Sequence, residues 1–201
     1  MPTRVPSFKG SVGAFSVVGE AAGSSKLLAI FNKTGSGVLV AVRRLTLQTD
    51  LAGSSSTGRA VQTTFLTTAP TDGTLLDPQA WDTTQTHNAN VEIRGRATAD
   101  GTNGTLTASV PSGFANSRLG VKNPGGAGQF LAPDYDLLVD FPYPEDPLIL
   151  REGEGVLVRV VEAGSNSLYY LVNAMIEEFV YEGSLPPVGV EFPYIGGGYY
   201  G

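Results

Sequence analysis

The chain has no cysteine, and this absence removes several kinds of chemistry at once. Disulfides, thiolate metal sites and thiol nucleophiles all need a cysteine sulfur. The chain also has a single histidine, His87, so no set of imidazoles is present to hold a metal ion. A Ser-His-Asp triad would have to converge on this one residue, which lies in a polar stretch. We therefore interpret His87 as a surface loop residue.

Charged residues are scarce as well, at 16% of the chain, and the net charge is −6. A nucleic-acid-binding surface needs clustered Lys and Arg to neutralise phosphates, so we expect no nucleic acid as a partner. No apolar run approaches the ~20 residues that a membrane helix needs. The N-terminal region also lacks the continuous apolar segment of a signal peptide. We therefore expect a protein that is made in a cytoplasm and binds no membrane.

Glycine and proline, by contrast, are abundant, with 26 and 13 residues among 201. Short β-branched segments alternate with turn-forming residues, and no segment has the apolar period of a long helix. About eight strands can be counted. The pattern predicts an all-β fold, an antiparallel β-sandwich that is jelly-roll-like and carries extended N- and C-terminal arms. The predicted limits are an N-terminal arm over 1–26, the sandwich over 27–182, and a C-terminal arm rich in Pro, Gly and aromatic residues over 183–201.

The clearest local pattern is Leu27–Gln48, in which two apolar segments flank a cluster of turn-forming residues. This arrangement predicts a β-hairpin. In its second strand, the valines of residues 38–42 share one parity and the leucines of residues 45–47 share the other. The apolar face therefore changes near Arg43 and Arg44. A β-bulge would keep both halves facing the core, as would a strand that passes between sheets at a corner.

Later segments give further local predictions. Val156–Val161 and Leu168–Val180 predict a second hairpin, in which Glu178 is the one polar residue among the apolar residues of its parity. The connection over residues 69–90 is long for a compact domain. We expect one helical turn at Asp77–Asp82, because Asp favours the N-cap and Pro suits the first helical position.

Several clusters that resemble functional sites are better explained as structure. The acidic region 134–146 offers oxygens of the kind that bind calcium, but the apolar run 137–139 interrupts the spacing, and we favour a solvated surface. Glu152 and Glu154 lie in a glycine-spaced turn, which we prefer to a glycosidase pair. The glycine-rich segment 124–128 lacks the Lys-Ser/Thr of a phosphate-binding loop. We predict no enzyme activity, no cofactor and no metal site.

The aromatic residues of the two arms are the candidate partner-binding residues. Disordered segments are usually depleted in aromatic residues, so their presence along an extended chain favours docking on a neighbouring protein. The candidates are Phe8, Phe15, Phe192, Tyr194, Tyr199 and Tyr200.

Two segments resemble a pattern found in small virion proteins of tailed bacteriophages. The first is IFNKTGSGVLVAVRRLTLQ, an apolar strand with Phe-Asn, a Gly-Ser-Gly turn and a strand with basic residues. The second is PLILREGEGVLVRVVEAGSNSLYYLVNAMIEEF, which resembles the closing pair of strands of these proteins. The resemblance covers about a quarter of the chain, and its motifs are structural rather than catalytic.

The resemblance implies a jelly-roll-like structural protein of a phage particle, with a capsid decoration (cement) protein as the first choice. It also implies that the partners are the major capsid protein or other virion proteins. The expected assembly is a homo-oligomer, with a trimer favoured, and the expected location is the virion after synthesis in the host cytoplasm. Two alternatives stay open. One is a tail, neck or fibre-associated virion protein, and the other is a carbohydrate-binding β-sandwich with Trp81 as a stacking platform.

Overall fold

The computed structural model describes residues 5–18, 25–51, 59–96, 106–108, 117–121, 135–136, 147–161 and 168–180. These residues contain β-strands and no helix, and every strand pair is antiparallel. The predicted all-β, antiparallel fold is confirmed. The strands are β1 (Phe8–Val18), β2 (Lys26–Asn32), β3 (Val38–Leu51), β4 (Arg59–Leu66), β5 (Thr71–Asp72), β6 (Thr74–Leu75), β7 (Gln79–Ala80), β8 (Val91–Gly95), β9 (Leu106–Thr107), β10 (Ser117–Val121), β11 (Tyr135–Asp136), β12 (Leu148–Leu150), β13 (Glu154–Val160) and β14 (Leu168–Val180).

Twelve of these strands form two six-stranded sheets. Sheet A has the order β11-β3-β14-β1-β7, and β12 also pairs with β3. Sheet B has the order β10-β4-β13-β2-β8-β6, while β5 and β9 form a separate two-stranded sheet. The long pairs are nested, because β1 pairs with β14, β2 with β13, and β3 with both β12 and β14. Strands near the start of the chain therefore meet strands near its end.

The main core lies between sheets A and B. Alternate residues of the long strands point inward, as expected of strands that each bury one face. The inward side chains include Val12, Ala14, Leu28, Ile30, Val40, Val42, Leu45, Leu47, Ile93, Val156, Val158, Val172 and Ile176.

A second apolar cluster buries the other face of β2 and β13. Phe31 and Leu157 lie there with Leu106 of β9 and Leu66 of β4. The two strands therefore have apolar residues on both faces, which explains why their sequences are almost continuously hydrophobic.

The predicted hairpin of residues 27–48 is wrong, although both of its strands exist. β2 belongs to sheet B and β3 to sheet A, so residues 33–37 cross from one sheet to the other; we call such a connection an arch. The predicted hairpin of β13 and β14 is wrong for the same reason. A hairpin and an arch both need apolar strands around turn-forming residues. The local sequence therefore does not distinguish them, and only the pairing partners do.

The predicted β-bulge in β3 is confirmed. Along β14, Met175 lies opposite Arg44 and Ile176 lies opposite Val42, so Arg43 is the extra residue. The bulge lets the valines before it and the leucines after it face the same core.

The predicted helical turn at 77–82 is wrong. Gln79 and Ala80 form β7, which pairs with Ser11 and Gly10 of β1, and the Trp81 N–H donates to the Lys9 carbonyl at 2.9 Å. Pairing with an open edge of sheet A therefore replaces the local helical preference. The long connection also contains β5 and β6.

Candidate functional site

The segment over residues 74–91 forms a cleft of about 660 Å³ beside the sandwich. The cleft lies where β7 is the edge of sheet A and β6 is the edge of sheet B. Its walls combine apolar side chains, such as Phe8 and Leu76, with the polar side chains of Asp77, Gln85 and His87. It is a candidate binding site formed by described residues.

His87 lies in a loop, as predicted, but its side chain is largely buried in the wall of this cleft, so its interpretation as a surface residue is wrong. Its side chain is 12% exposed, and Nδ1 lies 2.7 Å from Oε1 of Glu178, whose own side chain is 1% exposed. The Phe8 ring packs against the imidazole, with 5.2 Å between ring centroids. The signal for this pair was present in the sequence, because Glu178 occupies an inward-facing position of β14 among apolar residues.

Each nitrogen of the His87 ring faces a group of the protein. Nε2 lies 2.8 Å from the carbonyl oxygen of Val91, which can only accept a hydrogen bond, so Nε2 carries a proton. Nδ1 faces Glu178. A general base needs a nitrogen within reach of the proton it removes, and in this arrangement neither nitrogen is presented to the cleft. The pair is therefore arranged as a structural contact.

The residue after His87 extends the same network. The Asn88 N–H donates to Oε2 of Glu178 at 3.1 Å, and the Asn88 amide nitrogen Nδ2 donates to the Ser36 carbonyl at 2.8 Å. Residues 87 and 88 therefore connect the cleft wall to β14 and to the arch between β2 and β3.

Asn32 joins the two sheets at the same end of the sandwich. Its side chain is fully buried, and Nδ2 donates to the carbonyls of Val38 in β3 and Leu150 in β12, at 2.8 and 3.1 Å. The Asn32 carbonyl in turn accepts the N–H of Gly153 at 2.7 Å. One side chain of sheet B thus supplies hydrogen bonds to two strands of sheet A.

Glu152 holds the arch between β2 and β3 from outside. Its carboxylate accepts the backbone N–H groups of Gly35 and Gly37 at 2.9 and 2.8 Å. These two hydrogen bonds hold the pKa of Glu152 below its ordinary value. Both glycines have positive φ values, +83° and +69°, which explains the glycines of the Gly-Ser-Gly sequence.

Two more glutamates link neighbouring strands. Glu177 pairs with Lys9 Nζ at 2.9 Å and with Arg43 Nε at 2.7 Å, and Glu92 pairs with Lys33 and Arg94. In each case burial is the largest single influence and raises the pKa of the carboxyl group. The hydrogen bonds and charges of the two basic partners together outweigh it, so the pKa of Glu177 and that of Glu92 are lowered.

Glu154 completes the set by accepting the backbone N–H of Arg151 at 2.9 Å. Each of the five glutamates whose side chains the structure describes therefore has a partner within the chain. The interpretation of Glu152 and Glu154 as turn residues agrees with these contacts, whereas the specific roles of Asn32, Glu152 and Glu178 were not predicted.

Trp81 is the large aromatic residue that the described part of the chain leaves most open. Its side chain is 54% exposed, and its indole Nε1 donates to Ser11 Oγ at 3.4 Å. It stands next to β7 at the edge of sheet A and does not line the cleft. Its ring therefore offers a separate flat apolar surface.

The predicted partner-binding residues differ in where they lie. Phe8 is 1% exposed and belongs to the core, so it presents no docking surface in this conformation. Phe15 lies in β1 opposite Leu171, and its side chain is outside the described part. The remaining four, Phe192, Tyr194, Tyr199 and Tyr200, lie outside the described residues.

Other predicted features fall largely outside the described part. Of the acidic region 134–146, the structure describes only the backbone of Tyr135 and Asp136, and the segment 124–128 is not described. Among the residues with described side chains, no group of three or more His, Asp or Glu is placed to hold a metal ion. The same residues include no helix of the length and apolarity that a membrane span needs. Comparisons of the chain with protein-family models, curated proteins and solved structures give no match.

Proposed function

We propose that the chain is a non-enzymatic structural component of a phage particle, most simply a capsid decoration protein that binds the major capsid protein as a homo-oligomer. The observation that carries this proposal concerns the two segments with the virion-protein resemblance, residues 30–48 and 147–179. Far apart in sequence, they meet in one unit, because β3 pairs with β12 and β14, and β2 pairs with β13. Asn32 of the first segment also bonds to Leu150 of the second.

The nesting of the strands supports the jelly-roll part of the proposal. Jelly rolls are double-sheet, eight-stranded folds that recur in viral capsid proteins, and they pair early strands with late ones. The pairs β1 with β14, β2 with β13 and β3 with β12 follow this scheme. β4 and β8 depart from it, because they lie on opposite sides of the β13-β2 pair in sheet B instead of next to each other.

The use of the charged side chains supports the non-enzymatic part of the proposal. The described glutamates and His87 are held by partners within the chain, and the hydrogen bonds join strands and arches. Such a molecule would act by burying surface across neighbouring capsid subunits, which raises the free energy needed to separate them.

Quantitative mass spectrometry of purified particles tests this function. We expect the chain in many copies, in a fixed ratio to the major capsid protein, and we expect particle images to show it over the whole capsid surface. A low copy number at a single vertex would favour the tail, neck or fibre-associated alternative. Absence from purified particles would contradict both.

The exposed indole of Trp81 favours a second candidate, a carbohydrate-binding module. An aromatic side chain that is 54% exposed and held by one hydrogen bond is the kind of platform on which a sugar ring stacks. On a glycan array, we expect Trp81→Ala to abolish any binding and Trp81→Phe to retain part of it. Equal binding by the native chain and Trp81→Ala would contradict a role for the indole.

A further inference from the structure

The contact between His87 and Glu178 has a hydrogen-bonding requirement that decides its protonation. Nε2 of His87 must carry a proton, because it faces the Val91 carbonyl. Nδ1 and Oε1 of Glu178 lie 2.7 Å apart, both atoms are buried, and neither has a hydrogen-bond partner elsewhere, so only a proton between them can join them. A neutral imidazole beside an ionised carboxylate would instead direct two lone pairs at each other.

Two protonation states satisfy this geometry, and they hold the same number of protons. In one, His87 is an imidazolium beside an ionised Glu178. In the other, the neutral imidazole accepts a hydrogen bond from a protonated Glu178. Oε2 of Glu178 is engaged separately by the Asn88 N–H, so this second oxygen does not replace the missing proton.

The other groups around the imidazole do not provide this proton. Phe8 of β1 contributes an uncharged ring, and β8 contributes the Val91 carbonyl. Asp77 lines the same cleft and is exposed. The charged side chains on the flanking strands are paired elsewhere, Lys9 with Glu177, and Glu92 with Lys33 and Arg94.

We propose that His87 and Glu178 form a buried proton-binding site, and that its single proton holds residues 87–88 and the cleft wall against β14. In the unfolded chain above pH about 7, the histidine is neutral and the glutamate is ionised, so the pair holds no proton. The folded chain then binds one proton more than the unfolded chain. Folding stability therefore decreases as pH rises above about 7.

Glu178→Gln is the matched variant for this proposal. A glutamine amide can donate to Nδ1 of a neutral imidazole while its oxygen accepts the Asn88 N–H, so both contacts persist without an extra proton. Glu152→Gln is the control, since Glu152 is also held by intramolecular hydrogen bonds but has no histidine partner.

The experiment measures the unfolding free energy of the full chain by chemical denaturation between pH 7 and 9. This range lies below the titration of most Lys and Tyr side chains. We expect the folding equilibrium constant of the native chain and of Glu152→Gln to fall by up to about tenfold per pH unit, relative to Glu178→Gln. Equal pH dependence in the native chain and Glu178→Gln would overturn the proposal.

A second measurement uses the native chain alone and applies even if Glu178→Gln does not fold. Because His87 is the only histidine, the two imidazole nitrogen resonances need no assignment by mutation. At pH 8, ¹⁵N spectra should show protons on both ring nitrogens, or ¹³C spectra should show a protonated Glu178 carboxyl. A neutral imidazole together with an ionised Glu178 would overturn the proposal.

Discussion

At the scale of single residues, the fold depends on polar side chains that hold backbone groups where strands change sheets. Asn32 supplies donors to two carbonyls in the interior, and Glu152 supplies acceptors to two N–H groups at the surface. A strand that leaves its sheet leaves backbone groups without ladder partners, and these groups need other partners. The Phe-Asn and Gly-Ser-Gly sequences therefore form one structural device, which the arch requires.

The Glu152→Gln variant tests how much the charge of Glu152 stabilises the arch, because this contribution depends on pH. Because the pKa of Glu152 is lowered in the folded state, its contribution is present above about pH 4.5 and is lost as pH falls through the folded value. The carboxylate is largely exposed, so we expect Glu152→Gln to cost about 0.5–1 kcal/mol at neutral pH. Denaturant unfolding at pH 7 and pH 3 should show this difference shrinking in acid. A difference that is the same at both pH values would contradict the role of the charge.

At the scale of elements, the bulge in β3 keeps the apolar side chains of both halves of the strand facing the same core. Side chains along a strand point alternately to its two faces, so one extra residue moves every following side chain to the opposite face. Arg43 is that extra residue, and its guanidinium reaches Glu177 of β14 at 2.7 Å. The bulge was predictable because the parity of the apolar residues changes within β3 itself.

Single-residue deletions in β3 should therefore differ sharply in effect. Deleting Arg43 removes the bulge but keeps Val42 and Leu45 on the same face, so we expect a folded protein that loses about 1–2 kcal/mol through the lost ion pair and the changed twist. Deleting Thr46 moves Leu47 out of the main core to the position that Thr46 holds and turns Gln48 inward, so we expect no cooperative unfolding transition. Thermal unfolding followed by circular dichroism compares the two, and equal stability would contradict the assigned register.

At the scale of the whole molecule, the nested pairing makes strands near the start of the chain and strands near its end depend on each other for their packing. β1 is inserted in sheet A between β14 and β7, and Phe8, Val12 and Ala14 belong to the main core. Residues 8–18 of the segment predicted as an N-terminal arm thus form a long strand of sheet A. The sequence alone could not identify β14 as the partner of this strand.

Truncations of similar length at the two ends test this interdependence. Removing residues 1–18 deletes β1, exposes the edge of β14 and removes several kcal/mol of apolar burial, so we expect aggregation or loss of cooperative unfolding. Removing residues 183–201 should spare folding and weaken binding to particles, as expected for a docking arm. Size-exclusion chromatography and thermal unfolding distinguish the two variants. Failure of the second truncation to fold would mean that its aromatic residues belong to the core.

The strand class, the approximate position of most long strands and the bulge at Arg43 can be predicted from the sequence. Each of these follows from the alternation of neighbouring residues, which is a local property of the backbone. Three other features could not be predicted in this way: residues 33–37 form an arch, Gln79 and Ala80 form a strand, and His87 meets Glu178. These outcomes depend on which distant strands pair and which surfaces become buried. The free energy of a buried His–Glu contact arises only when the fold brings both residues out of water together.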